Sequence, residues 1–175
     1  ATAEEQTDFL EQLSDYEQGH LLRQMHVNGW QVDQRPEGKR IAFIRLHRYP
    51  VFVEFEPLPV FPNRFHVLSK TDFIQREFLV QKGRVFRTSD LLETVRNLRR
   101  LAVFNLVAAV PLKTQAPDTV GILIVTRDLW SLRLESAFQI TGTLIDRLQA
   151  QLTERNLFGR GIQALVRYNL QPLYY

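Results

Sequence analysis

The chain has 175 residues, 45% of them hydrophobic and 23% charged, the balance of a globular protein with room for one domain and an appendage. A net charge of +3 is too small to mark a nucleic-acid surface by itself, and the absence of cysteine excludes disulfides and thiolate metal sites. No run approaches the ~20 apolar residues of a membrane-spanning helix, and no signal peptide is visible; the opening "ATAEE" suits a processed exported protein or a trimmed one.

From Ala3 to Met25 the apolar residues Phe9, Leu10, Leu13, Tyr16, Leu21, Leu22 and Met25 recur at helical spacing, with Gly19 as a break, predicting one or two short helices. Trp30–Val32 reads as a short strand, "RPEGK" as a turn, and "RIAFIRLHRY" as a second strand that pairs with the first in a hairpin. Tyr49 to Asn63 carries Pro50, Pro57, Pro59 and Pro62, which rules out a helix or a central strand. Its neighbours Phe52, Phe55, Phe61 and Phe65 argue against disorder, and either pack on their own domain or form a partner-binding patch.

"SKTDFIQREFLVQKG" predicts a helix with Ser69 and Asp72 as a weak capping box, Phe73, Ile74 and Phe78 as its stripe and Gly83 as its stop. "TSDLLETVRNLRRLAVF" predicts the strongest helix: Leu91, Val95, Leu98 and Ala102 share a face, Asp90 and Glu93 favour its positive end, and Arg96, Arg99 and Arg100 its negative end. "FNLVAAVPLK" alternates as an edge strand, marked by Pro111, and "VGILIVT" is apolar throughout, as a strand covered on both faces.

Beyond Arg127 the period is two. Phe138, Ile140 and Leu144, then Leu148, Ala150 and Leu152, then Ile162, Val166, Tyr168 and Leu170 alternate with Gln139, Thr141, Gln149, Gln151, Gln163, Arg167 and Asn169. That is the apolar-out, polar-in pattern of transmembrane barrel strands. Leu144, Ile145, Leu148 and Leu152 also fit a helix ending near Gly159.

No motif for nucleophilic, metal or dinucleotide chemistry is present. His20, His26, His47 and His66 lack metal-ligand spacing. Asp128 beside Arg127 fits the cap of a strand end better than a catalytic acid, and the helix arginines fit a solvated face. The chain is read as a non-enzyme, with no cofactor and no metal.

The order strand-helix-helix-strand-strand resembles a POTRA (polypeptide-transport-associated) domain. "FLVQKGRVFRTSDLLETVRNLRRLAVFNLVAAVPL" is similar to that module's helix, glycine turn, second helix and following strand. "VGILIVTRDLWSLRLE" resembles the last strand and exit of the POTRA module beside the barrel in bacterial surface-antigen proteins of the outer-membrane assembly and translocation superfamily. "ERNLFGRGIQALVRY" resembles that superfamily's first periplasmic turn and the barrel strand after it. The resemblance runs from about Pro36 to Leu170.

Together with the N-terminal helical segment read from spacing (1–29), it implies an α+β fold: a POTRA-like domain (30–134) and the first antiparallel strands of an outer-membrane β-barrel (135–175). The 40 residues from 136 to 175 make three or four strands of ~9–11 residues, too few to close a barrel. The chain is therefore expected to be a piece of a longer protein or to complete another chain's sheet. The implied function is insertion, assembly or translocation of other proteins in a Gram-negative outer membrane, with the POTRA-like domain in the periplasm. Clients or accessory subunits would add as strands to the edge Phe104, Asn105, Leu106, Val107, Ala108, Ala109 and Val110. Phe138, Ile140, Leu144, Leu148, Leu152, Ile162, Val166, Tyr168 and Leu170 would face lipid, and the open edges would form strand-paired oligomers in isolation. The other reading is a soluble POTRA-like interaction or scaffold module, with 136–175 packed on the same domain.

Overall fold

A computed structural model of the chain describes residues 9–54, 56–57, 60–141 and 144–170. Two three-stranded sheets follow one another. The first contains β1 (Arg40–Tyr49), β2 (Phe104–Lys113) and β3 (Thr119–Asp128), with helices α1 (Asp15–Asn28), α2 (Thr71–Gln75) and α3 (Thr88–Arg100). The second contains β4 (Leu132–Thr141), β5 (Leu144–Leu157) and β6 (Ile162–Leu170).

The continuous apolar run Val120–Thr126 makes β3 the centre of the first sheet, parallel to β1 and antiparallel to β2. Every residue from Val120 to Asp128 is buried. Burial on both sides needs two covers. In the register, Tyr49 lies beside Arg127, and both meet α1 through Gln24, His20 and Tyr16. The opposite face carries Asp128 and Arg48, which meet the segment leading into α2 at Ser69. α1 therefore covers one face of the sheet and the approach to α2 meets the other, as the unbroken apolar run of β3 requires.

α1 is one helix. Ser14 and Glu17 form a reciprocal capping box at its start. Gly19 sits inside it rather than breaking it: its cost of ~1 kcal/mol relative to alanine is offset by burial of His20, Leu21 and Met25 on the sheet. In α3, Leu91 and Leu98 are buried as the stripe requires. Its N-cap is Arg87, and Thr88 donates its N–H and hydroxyl to the Glu37 carboxylate.

Two further expectations are corrected by long-range hydrogen bonds. The hairpin between Trp30–Val32 and β1 does not form. Val32 bridges Leu112 of β2, with Asp33 N–H donating to Pro111 O and Lys113 N–H donating to Gln31 O. Proline has no N–H to offer a partner, but its carbonyl remains an acceptor, and Asp33 takes it. The helix predicted from Ser69 shrinks to Thr71–Gln75. Its continuation is captured by other partners: Leu79 N–H by the Thr94 hydroxyl, Gly83 N–H by Ile41 O and Phe86 N–H by Lys39 O.

In the second sheet, β5 is a 14-residue strand between β4 and β6, so residues 144–157 do not form the alternative helix. β4 begins at Leu132, ahead of the strand start read from the sequence. Phe55 and the residues from Gln171 to Tyr175 lie outside the described residues.

Candidate functional site

The edge named from the sequence, Phe104–Val110, lies on β2, which borders β3 on one side only. Leu106 to Leu112 are all buried. The outward carbonyl of Val107 accepts from the Arg99 guanidinium at 3.0 Å. Arg99 also pairs with Glu17 of α1 at 2.5 Å, so one side chain from α3 reaches across the strand edge to α1. Asn105 donates to the Tyr16 hydroxyl at 3.4 Å, and the far end of the strand is held by Gln31–Asp33. Little of this edge is left open to an added strand.

The second sheet has one apolar and one polar face. The register places Leu134, Leu152 and Val166 in one row, Ser136, Ala150 and Tyr168 in the next, and Phe138, Leu148 and Leu170 in a third. Leu134 is 72% exposed, Phe138 69% and Val166 68%. Ile162 and Leu152 are also exposed, and the side chains of Ile140 and Leu144 lie outside the described residues. On the opposite face Glu135, Gln151 and Arg167 form a row: Gln151 donates to Glu135 at 3.4 Å and accepts from Arg167 at 2.8 Å. With Gln149 and Asn169 they line a polar hollow of about 400 Å³.

The sheets meet at the β5–β6 turn, a junction missed by the sequence reading. Asp128, at the end of β3, is buried, and its Oδ2 accepts from Ser69 N–H (2.7 Å), from Ser69 Oγ (2.9 Å) and from His66 Nε2 (2.9 Å). Asn156 Nδ2 donates to Ser69 Oγ at 2.8 Å, and Asn156 Oδ1 accepts from Gly161 N–H at 2.8 Å. Lys70 N–H donates to Gly159 O at 2.8 Å. Gly159 and Gly161 have φ of 70° and 67°, and a Cβ on them would sit 2.5 Å from Leu68 O and from the Phe73 ring respectively. Only glycine fits there on both counts. Ser69, His66 and Asp128 are the residue types of a hydrolytic triad. Here the serine and the histidine both address one carboxylate oxygen and do not bond to each other, so the histidine is not placed to take the serine's proton. Chemically, the group is a clamp. The sequence signals available for it were the two glycines of "FGRG" and the asparagine before them.

A second buried cluster holds the other face. Arg127 donates to both carboxylate oxygens of Glu56, to Val51 O and to the Tyr16 hydroxyl, with His20 Nε2 at 3.4 Å. Hydrogen bonding from Arg127 holds the Glu56 carboxyl below its ordinary range. Burial, then the charge of Arg127, lowers His20. Burial raises the Tyr16 hydroxyl, against the opposing charge of Arg127. The pair Arg127–Asp128 thus ends β3 with each side chain anchoring a different connection.

Among the described residues no cluster of histidine and carboxylate side chains could hold a metal ion, and no helix is long and apolar enough to cross a membrane. The geometry defines an α+β unit clamped at the β5–β6 turn to an amphipathic three-stranded antiparallel sheet. No family model and no curated protein matches the chain. Among solved structures it is similar to the crystal structure of BamA from Haemophilus ducreyi lacking POTRA domains 1–3, at 17% identity and a TM-score of 0.50. The match covers 77% of this chain and 23% of that one, so this chain spans less than a quarter of that protein's length. The likeness is one of fold: a mixed α+β unit with two small sheets, BamA-like in arrangement.

Proposed function

We propose that this chain is the barrel-proximal, POTRA-like domain and the first barrel strands of an outer-membrane protein that assembles, inserts or translocates other proteins. In this reading the first sheet lies in the periplasm and has no enzymatic role, and the apolar face of the second sheet lies in lipid. The observation that carries the reading is the register of β4, β5 and β6. It aligns Leu134, Leu152 and Val166, and then Phe138, Leu148 and Leu170, across three strands, giving a continuous apolar face opposite a hydrogen-bonded polar one, as a barrel wall requires. The BamA-like fold supports it. Among the described residues β4 and β6 each border β5 alone, and their outer edges are where further strands of a longer chain, or of a second copy, would pair. Strand addition at Phe104–Val110 is part of the proposal, and there it requires Arg99 to release Val107 O.

The reading that 136–175 packs back on the domain as a soluble module is less well supported. Contact with the domain is concentrated at the Asn156–Gly161 turn, while Leu134, Phe138 and Val166 are exposed. Flotation with vesicles of neutral phospholipid tests the proposal. The full chain should float with the vesicles and aggregate in their absence. A chain that stays monodisperse in detergent-free buffer and remains at the bottom of the gradient would reject the membrane role.

A further inference from the structure

The most open run of backbone in the first sheet is on β1. Its beginning is covered: Ile41 N–H donates to Arg84 O, Gly83 N–H to Ile41 O, and Arg40 bridges Val85. From Ala42 to Arg48, among the described residues, the strand's backbone pairs with β3 alone. None of these seven residues is fully buried, whereas all seven from Leu106 to Leu112 of β2 are.

The side chains along this run alternate in chemistry. Ile44 and Leu46 point to the α2 side and are partly exposed. Arg45 and His47 point to the α1 side, beside a hollow of about 310 Å³ lined also by Gln24, Asn28, Trp30 and Leu123. Arg45 is exposed, with its guanidinium 5.7 Å from the Phe43 ring centre. No carboxylate among the described residues pairs with Arg45 or His47. Burial, then the charge of Arg48, lowers His47 below its ordinary range, so Arg45 carries the positive charge of this side; the neighbouring charged groups on the strand, Arg40 and Arg48, are positive too and donate to the backbone carbonyls of Gly83 and Ser69. An exposed edge guarded by charge repels strands of like character. The same charge selects a strand of the opposite sign, since cross-strand pairs of opposite charge are favourable and like pairs unfavourable.

We propose that β1, between Ala42 and Arg48, is a docking edge for an extended acidic-apolar segment of another protein. That segment's alternate residues would place carboxylates over Arg45 and His47 and apolar side chains over Ile44 and Leu46. The inference shares with the proposed function only the premise that the first sheet docks protein strands; it places that docking on β1 rather than on Phe104–Val110, and it is independent of the membrane part.

The test uses the full chain in detergent micelles, isotopically labelled, titrated with a nine-residue peptide of alternating glutamate and valine. A lysine–valine peptide of the same length is the control. Amide shifts should centre on Ala42–Arg48, and the lysine peptide should bind at least about tenfold more weakly. Arg45→Glu, at an exposed position, should reverse that preference while the unbound spectrum stays native. Shifts centred on Phe104–Val110, no binding by either peptide, or an unchanged preference in Arg45→Glu would each overturn the assignment. Flotation reports separately on the second sheet, so a chain that floats but binds no peptide rejects β1 docking alone. One that binds at β1 but does not float rejects the membrane role alone.

Discussion

The two sheets have the same number of strands and opposite relations to their surroundings. β3 of the first sheet is buried from Val120 to Asp128, with α1 on one side and the α2–α3 layer on the other. β6 of the second sheet has no fully buried residue from Ile162 to Leu170. Yet both strands are rich in apolar side chains. The difference lies in period. An apolar residue at every position needs protein on both faces. An apolar residue at every second position needs only one apolar neighbour, which can be lipid. The first sheet supplies its own surroundings, whereas the second, among the described residues, leaves one apolar face exposed.

The sharpest way to break this comparison is to place a charge in the self-sufficient sheet's core. Leu98→Asp puts an unpaired carboxylate in a fully buried position and should cost upwards of ~4 kcal/mol. It should abolish the cooperative melt of the first domain in near-ultraviolet circular dichroism. A native melt would mean that α3 does not seal the sheet.

The second sheet should respond to charge according to face. Val166→Arg, in the middle of the apolar row, should cost ~2–4 kcal/mol of stability in lipid if that row lies near the midplane. Gln163→Arg should be almost silent. Folding titrations in vesicles measure both, and equal tolerance would remove the lipid-facing assignment.

The junction should respond at an intermediate level. Asn156→Ala removes the donor to Ser69 Oγ, which keeps its bond to Asp128, and the acceptor of Gly161 N–H, and should cost ~1–3 kcal/mol locally. Hydrogen exchange at Gly161 and Lys70 should accelerate while exchange in β3 stays slow. Unchanged exchange at those two amides would show that the turn is held without the clamp.

The smallest effect expected is on pH. His20 is lowered below its ordinary 6.5 by burial and by Arg127, so the unfolded chain takes up its proton first. Stability therefore falls as pH drops below about 6.5. Glu56 is held below its ordinary 4.5 by Arg127, so its contribution is present above that value and is lost as pH falls further. Both act in the same direction. The first domain's melting temperature should decline from pH 7 to pH 4, with His20→Phe flattening the upper part of the curve. A melting temperature that is level or rising on acidification would contradict both assignments.

Local pattern carried much of this architecture. The apolar run of β3, the stripe of α3 and the alternation of β6 each declare an element and the number of faces it must bury, because side-chain period and backbone geometry are linked within a few residues. The apolar face of the second sheet was legible for the same reason: Phe138, Leu148, Leu152, Val166 and Leu170 stand at alternating positions, and the observed register aligns them. Partner choice was not legible. Val32 pairing with Leu112, Leu79 giving its N–H to Thr94 in place of a helical turn, and Arg99 closing the edge at Val107 are contests between local and distant hydrogen bonds of similar strength. Only the assembled fold decides which donor is nearer. The clamp of His66, Ser69, Asp128 and Asn156 is the extreme case. Its members are scattered from residue 66 to residue 156 and belong to no local pattern. They act together because the end of β3, the approach to α2 and the β5–β6 turn converge on one buried carboxylate.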